Sequence, residues 1–475
     1  MADTTSTTAR PPKLSHPTRA DRAAAGKAAR ARVPLDAHSA LDAGTGRPDP
    51  VELLRSQGAT RVPELVPIRY GRMATTPFAF YRGAALVMAS DLARTPTTGL
   101  RTQLCGDAHL SNFGVFGSPE RNLLFDINDF DETAPGSFEW DVKRLAASLE
   151  IAARGNDFKR KQTRALVLAA VASYRTAMRH FATMGSLDVW YARLDVDRTF
   201  QAVRGKLSLE GARRTEAALA KARTRDSMQA LDKLTTQVDG KPRIVGDPPL
   251  VETIDELAPD RDRDEVMHEM RVLIRSYRAS LPSDRKHLIE QYQLVDMARK
   301  VVGVGSVGTR CWILLLQGID EGDPLFLQGK EATASVIETV TGTTTRGQSG
   351  QRVVHGQRLM QAASDIFLGY QRVLTDGAER DFYVRQLRDW KMSLPIETML
   401  PEGMTVYGQM CGWTLARAHA RAGDRVAIAS YLGRKDTFDQ AVADFAVAYA
   451  DLNERDHAAL LAAIDDGSVT AVSGL

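Results

Sequence analysis

The sequence predicts an α+β protein of two lobes, one large and helical, the other small and rich in strands. Three observations carry this expectation. The 475 residues, 43% of them hydrophobic, suffice for two or three ordinary cores. Long Ala/Leu/Arg segments with apolar positions three or four apart dominate residues 158 to 300 and the C-terminal section. Short apolar runs broken by Gly, Ser and Pro recur at 100 to 128, 298 to 332 and 381 to 387.

Along the chain, residues 1–48 are rich in Ala, Thr, Pro and Arg without hydrophobic periodicity, and are expected to form a disordered basic tail. Folded structure is expected from "DPVELLRSQ", where Asp49 can cap a helix. The text from "LRTQLCGDAHL" to "NLLFDIND" reads as strands and tight loops, and "WDVKRLAASLEIAARG" turns helical, so 49–295 is the expected helical lobe. The small lobe is expected at 296–392. It holds strands in "ARKVVGVGSVGTRCWILLLQGIDEGDPLFLQGKEA" and "DFYVRQL", with an amphipathic helix in "GQRLMQAASDIFLGYQRVL" between them. Residues 393–475, with "YGQMCGWTLARAHARAGD" and "FDQAVADFAVAYADLNERDHAALLAAI", return to the helical lobe.

Charge and cysteine usage exclude several classes. Sixty-two basic residues nearly cancel 59 acidic ones, and a net charge of +3 gives no general reason for a nucleic-acid partner. Three isolated cysteines fit neither a disulfide framework nor a zinc site, and imply a reducing cytoplasm. No run approaches the roughly 18 apolar residues of a membrane span, so no membrane partner is expected.

Gly303-Val304-Gly305-Ser306-Val307-Gly308 matches GxGxxG, a pattern whose meaning depends on the element it leads into. A dinucleotide-binding loop leads into a helix, whereas "TRCWILLL" favours a strand. No Gly-Lys-Ser/Thr closes the pattern as a Walker loop would require. The remaining arrangement is strand, glycine loop, strand, turn, and a third strand "LFLQGK" ending on Lys330. Kinase-like proteins have this arrangement, with the loop over the ATP phosphates and the lysine on the α- and β-phosphates. The bland alternative is a hairpin with a surface lysine. Glu338, in "ASVIETV", is the expected carboxylate partner of Lys330.

In "QLCGDAHLSNFG", Asp107 and Asn112 are five residues apart, the separation of catalytic aspartate and metal-binding asparagine in kinases. An aspartate there orients or accepts the proton of an attacking hydroxyl while the amide oxygen holds magnesium. With His109, the stretch resembles the D-x-H-x-x-N of aminoglycoside and choline phosphotransferases, although Cys105 stands where their first histidine does. That resemblance implies a magnesium-chelating aspartate downstream. Asp129 of "NDFDE" is the expected ligand and Asp126 the alternative register; Asp141 of "EWDVKRLA", which resembles their Y-D-L-A, follows Asp129 by twelve residues. Asp126, Asp129, Asp131 and Glu132 are like charges that repel unless a cation offsets them. Arg82 in "TPFAFYRGAA" is expected to brace the acidic loop, with substrate contact the alternative, and His419 to be structural.

The order of motifs is reversed relative to kinases, because Asp107 precedes Gly303. A circular permutation accounts for this: "LARAHARAGD", residues 415 to 424, resembles the helix that comes before the catalytic loop in the phosphotransferases. From about residue 60 to 460 the chain also resembles the bacterial domain of unknown function 2252 family, through "PFAFYRGAA", "GDAHLSNFG", "FDINDFDE", "WDVKRLAAS", "VGSVGTRC" and "QAASDIFLGY". The kinase resemblance implies a permuted two-lobed kinase-like fold that binds ATP and Mg²⁺. Asp107 and His109 would be catalytic, Asn112 and Asp129 or Asp126 on the metal, and Gly303, Gly305, Ser306, Gly308, Lys330 and Glu338 at the nucleotide. The acceptor would be a small molecule or protein hydroxyl. A nucleotide-binding scaffold without transfer, and a metal-dependent hydrolase using Asp107, His109, Asp126 and Asp129, are the alternatives.

Overall fold

The computed structural model describes residues 16–475 apart from 207–208, 225–226, 321, 346, 376, 388–389, 391 and 393. It is a mixed structure of helices and antiparallel sheets, as the α+β expectation requires.

The first difference lies at the N-terminus, where residues 1–15 fall outside the described part. Helix α1, Arg19–Arg32, opens with a Thr18/Asp21 capping box. Its small face lets it approach a later helix so closely that a Cβ on Gly26 would meet the Ala427 carbonyl oxygen at 2.1 Å. Arg22 pairs with Asp424 at 2.9 Å, and the buried His38 Nε2 lies 2.6 Å from the Tyr431 hydroxyl. Part of the expected disordered tail is therefore ordered, because alanine's helix propensity and close packing substitute for a periodic apolar stripe.

Helices α2 (Pro50–Gly58), α3 (Val66–Ala74), α4 (Pro77–Gly83) and α5 (Ala85–Leu92) follow, with Asp49 capping α2 through the Val51 and Glu52 amides. Strands β1 (Arg101–Leu104), β2 (Phe113–Gly117), β3 (Leu123–Ile127) and β4 (Ala134–Ser137) form two small sheets: β1 pairs β4, and β2 pairs β3. The long helices α6 (Glu139–Gly155) and α7 (Arg160–Phe181) then build the main core.

The region to residue 295 is less uniformly helical than its periodicity suggests. After α8 (Ser186–Tyr191), β5 (Leu194–Asp195) adds to β3, and α9 (Val196–Val203), α10 (Leu209–Arg223) and α11 (Ser227–Leu234) lead to the hairpin β6 (Thr235–Val238) and β7 (Lys241–Ile244). Strand β8 (Val251–Thr253) joins the large sheet, and α12 (Ile254–Leu257), α13 (Arg263–Tyr277) and α14 (Ser283–Ile289) pack on it.

That sheet adds β9 (Gln293–Lys300), β10 (Cys311–Gln317), β11 (Pro324–Ala332), β12 (Gly369–Thr375) and β13 (Ala378–Gln386), in the order β12-β13-β11-β10-β9-β8. Its period-two alternation gives it two apolar faces. Leu314, Leu316, Leu325 and Leu327 pack against Met267, Tyr277 and Ile289, while Ile313, Leu315 and Phe326 pack against Ala230 and Ile244. The cover of this sheet therefore begins with residues from 227 onward, before the strands expected from 296, because both faces need cover.

Between β11 and β12 lie α15 (Val336–Thr341) and α16 (Ser349–Met360). The expected helix through "GQRLMQAASDIFLGYQRVL" ends at Met360. Asp365 caps the turn by accepting the Phe367 amide at 2.7 Å, and "GYQRVLT" continues as β12. Helices α17 (Pro401–Ala422), α18 (Arg425–Leu432) and α19 (Thr437–Asp465) return to the large core. Among the described residues, no helix is long and apolar enough to cross a membrane.

Candidate active site

The segment after β1 is held by the start of α6. Asp141, in its first turn and buried, accepts the amides of Cys105 at 2.8 Å and Gly106 at 3.0 Å. Its second tie is His419 Nε2 at 3.1 Å, whose Nδ1 lies 2.9 Å from the Tyr174 hydroxyl. The turn needs glycine, since Gly106 has φ +81° and a Cβ there would meet the Glu132 carbonyl oxygen at 2.1 Å. Helix α17 braces the same segment through the Tyr407 hydroxyl, which donates within reach of Leu110 O at 2.8 Å and Phe113 O at 3.0 Å. The helix beside the acidic loop is thus the one that carries "LARAHARAGD".

Asp107 is held by Arg144, whose Nε and Nη2 both lie 2.6 Å from Oδ1. Arg144 sits over the Tyr81 ring at 4.2 Å and donates to the Tyr81 carbonyl at 3.0 Å. His109 is buried with Nε2 3.6 Å from Asp107 Oδ2, and burial lowers its pKa to about 4, so the ring is neutral at pH 7. Asn112 donates through Nδ2 to Asp107 O at 2.7 Å, which leaves its amide oxygen as the atom suited to a cation.

Lys330, on β11 of the large sheet, meets the acidic run that follows β3. It stands opposite Cys311 in the β10–β11 ladder and opposite Tyr383 in β13. Its Nζ donates to Asp131 Oδ2 and, at 2.7 Å, to Ser306 Oγ, with Asp129 Oδ2 at 3.8 Å. Burial alone would push its pKa down, but Asp129 and Asp131 outweigh this and hold it well above the ordinary value. Tyr383 donates to Asp131 Oδ1 at 2.7 Å, and Arg385 to the Asn128 carbonyl at 3.1 Å.

The glycine loop is a compact hairpin connection between β9 and β10, with positive φ at Gly303 and Gly308. Two arginines hold its carbonyls: Arg72 of α3 donates to Gly303 O at 2.6 Å and Arg61, between α2 and α3, to Val307 O, while the Val62 amide donates to Gly308 O at 2.8 Å. Ser306 is the loop side chain that meets Lys330.

Two expected site residues lie elsewhere. Asp126, inside β3, is buried against α17, where it accepts from Arg417 and from the Ala362 amide at 2.8 Å. Glu338 is the capping-box acid of α15, accepting the Ser335 amide at 3.0 Å and the Thr345 amide at 2.6 Å, with Arg352 Nε at 3.4 Å. Asp131 takes the place expected of Glu338. The expected bracing of the acidic loop by Arg82 is done instead by Arg144. Glu132 turns away, accepting the Val336 amide at 2.7 Å, and burial pushes its pKa up to about 7. The protein's own cations and this protonation thus offset much of the repulsion within the acidic run.

Among the described residues, no group of three or more His, Cys, Asp or Glu side chains is arranged to hold a metal ion. A cation here would need oxygens from its ligand beside Asp129 and Asn112. A cavity of about 440 Å³ adjoins the site at Asn128 and Arg385 and is lined further by Phe116, Arg121, Gln357 and Phe367.

The family described as "Uncharacterized protein conserved in bacteria (DUF2252)" matches residues 61–463. The chain belongs to the DUF2252 family. The DUF2252 match contains every site residue above, from Arg61 to His419, and begins after α1 and α2. No curated protein and no solved structure matches the chain.

Proposed function

We propose that the protein is an ATP- and Mg²⁺-dependent phosphotransferase of kinase-like type, moving the γ-phosphoryl group to the hydroxyl of a small-molecule or protein acceptor. One observation carries this reading: Lys330, from the third strand of a glycine-loop sheet, reaches both the loop serine and the Asp129/Asp131 pair, in a run tied to the Asp107–Asn112 loop by the Asn128 amide on the Asn112 carbonyl. The donor set fits the ligand. Asp129 and the Asn112 amide oxygen would hold magnesium, which would neutralise charge on the phosphates. Lys330 is already poised between carboxylates and the loop, so phosphate oxygens and a cation can enter as a balanced pair. Asp107, fixed by Arg144, orients the acceptor hydroxyl and takes its proton, and paired to an arginine it does so late in the transfer. The rest of the rate would come from positioning and charge neutralisation.

The hydrolase alternative loses Asp126 to Arg417. A nucleotide-binding scaffold remains the second reading, favoured by the pairing of Lys330 with Asp131, which must open before the lysine takes a phosphate. The test is the melting temperature with ATP, with and without Mg²⁺, followed by transfer of labelled γ-phosphate into metabolite and protein pools. A magnesium-dependent rise with transfer is expected. No shift at millimolar ATP removes both nucleotide readings, and a shift without transfer favours the scaffold.

A further inference from the structure

Arg82 lies in the last turn of α4, wedged between the two halves of the site. Its carbonyl oxygen lies 3.0 Å from where a Cβ on Gly305 would stand, so the glycine loop rests on this residue. The neighbouring Tyr81 carbonyl accepts from Arg144, the side chain that fixes Asp107. One short helix therefore touches both the loop expected over the phosphates and the arginine that holds the carboxylate expected at the acceptor.

The Arg82 side chain is left without a structural task. Around it, Arg61, Arg72 and Arg144 each donate to a named carbonyl or carboxylate. Among the described residues Arg82 has no ion pair, and its buried Nε has no hydrogen-bond partner. Asp107 and Glu397 act on it electrostatically without bonding to it, and burial pulls its pKa down. The adjoining His109, 4% exposed, likewise has a buried Nδ1 with no partner. A guanidinium whose Nε is buried without an acceptor gains most from an anion, and its planar fork matches the oxygens of a phosphoryl group.

On the reading proposed above, we infer that Arg82 contacts the transferred phosphoryl group, supplying from within the chain the charge that an arginine finger supplies elsewhere. Such an arginine adds to the charge compensation from Lys330 and magnesium at the oxygens that develop charge during transfer. It would be a catalytic residue within "PFAFYRGAA", where the sequence suggests only a brace for the acidic loop.

The experiment compares binding of ADP, ATP and ADP with fluoroaluminate, all with Mg²⁺, by titration calorimetry on the full-length protein, its Arg82→Gln variant and its Arg82→Lys variant. ADP affinity is expected to stay within about twofold in the variants. ATP and ADP-fluoroaluminate are expected to weaken roughly ten- to hundredfold in Arg82→Gln, the loss of a hydrogen bond to a charged group, and less in Arg82→Lys. Restoration of ATP affinity by added ethylguanidine in Arg82→Ala would support the same contact. Equal loss of ADP and ATP, or loss of neither, overturns the assignment while leaving the nucleotide reading intact, and wild-type protein that binds no nucleotide overturns both. A poorly folded Arg82→Gln leaves Arg82→Lys to decide, through the ratio of its ATP to ADP affinities.

Discussion

Asp126 and Asp131 stand five residues apart in one acidic run, and each accepts a hydrogen bond from a buried cation brought from far along the chain. In the Asp126–Arg417 pair both side chains are 1% exposed, whereas in the Asp131–Lys330 pair the lysine is 2% exposed and the aspartate 26%. The first pair lies inside a packing interface between β3 and α17. The second faces a cleft shared by Ser306, Asp129 and Tyr383. Exposure of one partner is what separates a fixed structural pair from one that a ligand can enter, and breaking each pair is expected to have different consequences.

The largest effect on stability is expected from Arg417→Leu, which strands Asp126 as a buried, uncompensated carboxylate at about 3–5 kcal/mol. Urea unfolding would show it as a lower midpoint, and adding Asp126→Asn should recover much of the loss, because the neutral amide no longer needs a cation. If the single change lowers stability by less than about 1 kcal/mol, the two pairs are not different in kind.

Lys330→Met is expected to do the reverse. Asp131 keeps the Tyr383 hydroxyl at 2.7 Å and gains water, so the fold should lose about 1 kcal/mol or less, while affinity for Mg²⁺-ATP drops at least tenfold. The measurement is calorimetric titration beside a denaturation curve. An unfolded Lys330→Met protein would make this pair a structural one.

Within the cleft, Asp107→Asn should abolish transfer with ATP affinity nearly unchanged, since a group that takes a proton late acts in the transition state. Asp129→Asn should weaken magnesium-dependent ATP binding as well. Equal effects on affinity would erase the division of labour between the two carboxylates.

Much of this arrangement is legible in the sequence, for local reasons. Apolar alternation after Gly308 places β10 and β11 and puts Lys330 near the end of a strand, and the spacing of Asp107 and Asn112 marks a loop whose Asn112 carbonyl accepts the Asn128 amide at 2.7 Å, next to the run that pairs with that lysine. The partner of Lys330 is not legible, because Glu338 looks suitable only by proximity in the chain. Asp131 comes from 199 positions away, and charge counting cannot tell it from Asp126, whose pairing depends on a helix 291 residues downstream. Arg144 is hidden in the same way, as one of many arginines on helical segments. Cys105 in place of histidine raises a doubt that Asp141 resolves: the loop is held through its backbone amides, which any residue offers.

The smallest effect belongs to Glu132, the last of the four acids of the run, which has no ion pair among the described residues. Its carboxyl is pushed by burial to about 7 from an ordinary 4.5, against the pull of the Val336 amide. Between those values the folded protein keeps a proton that the unfolded chain has released, so raising the pH favours unfolding across that window and the contribution levels off above about 7. His109 acts oppositely, because its folded pKa of about 4 makes stability rise with pH until the unfolded ring loses its proton near 6.5. Comparison with Glu132→Gln isolates the carboxylate from this opposing term. The difference in unfolding free energy between wild type and variant should slope downward from about pH 4.5 to 7, by a fraction of the roughly 1.4 kcal/mol per pH unit that one full proton gives. A flat difference would mean that Glu132 is ionised throughout, and that the acidic run then carries a third charge for Lys330 and Arg352 to balance.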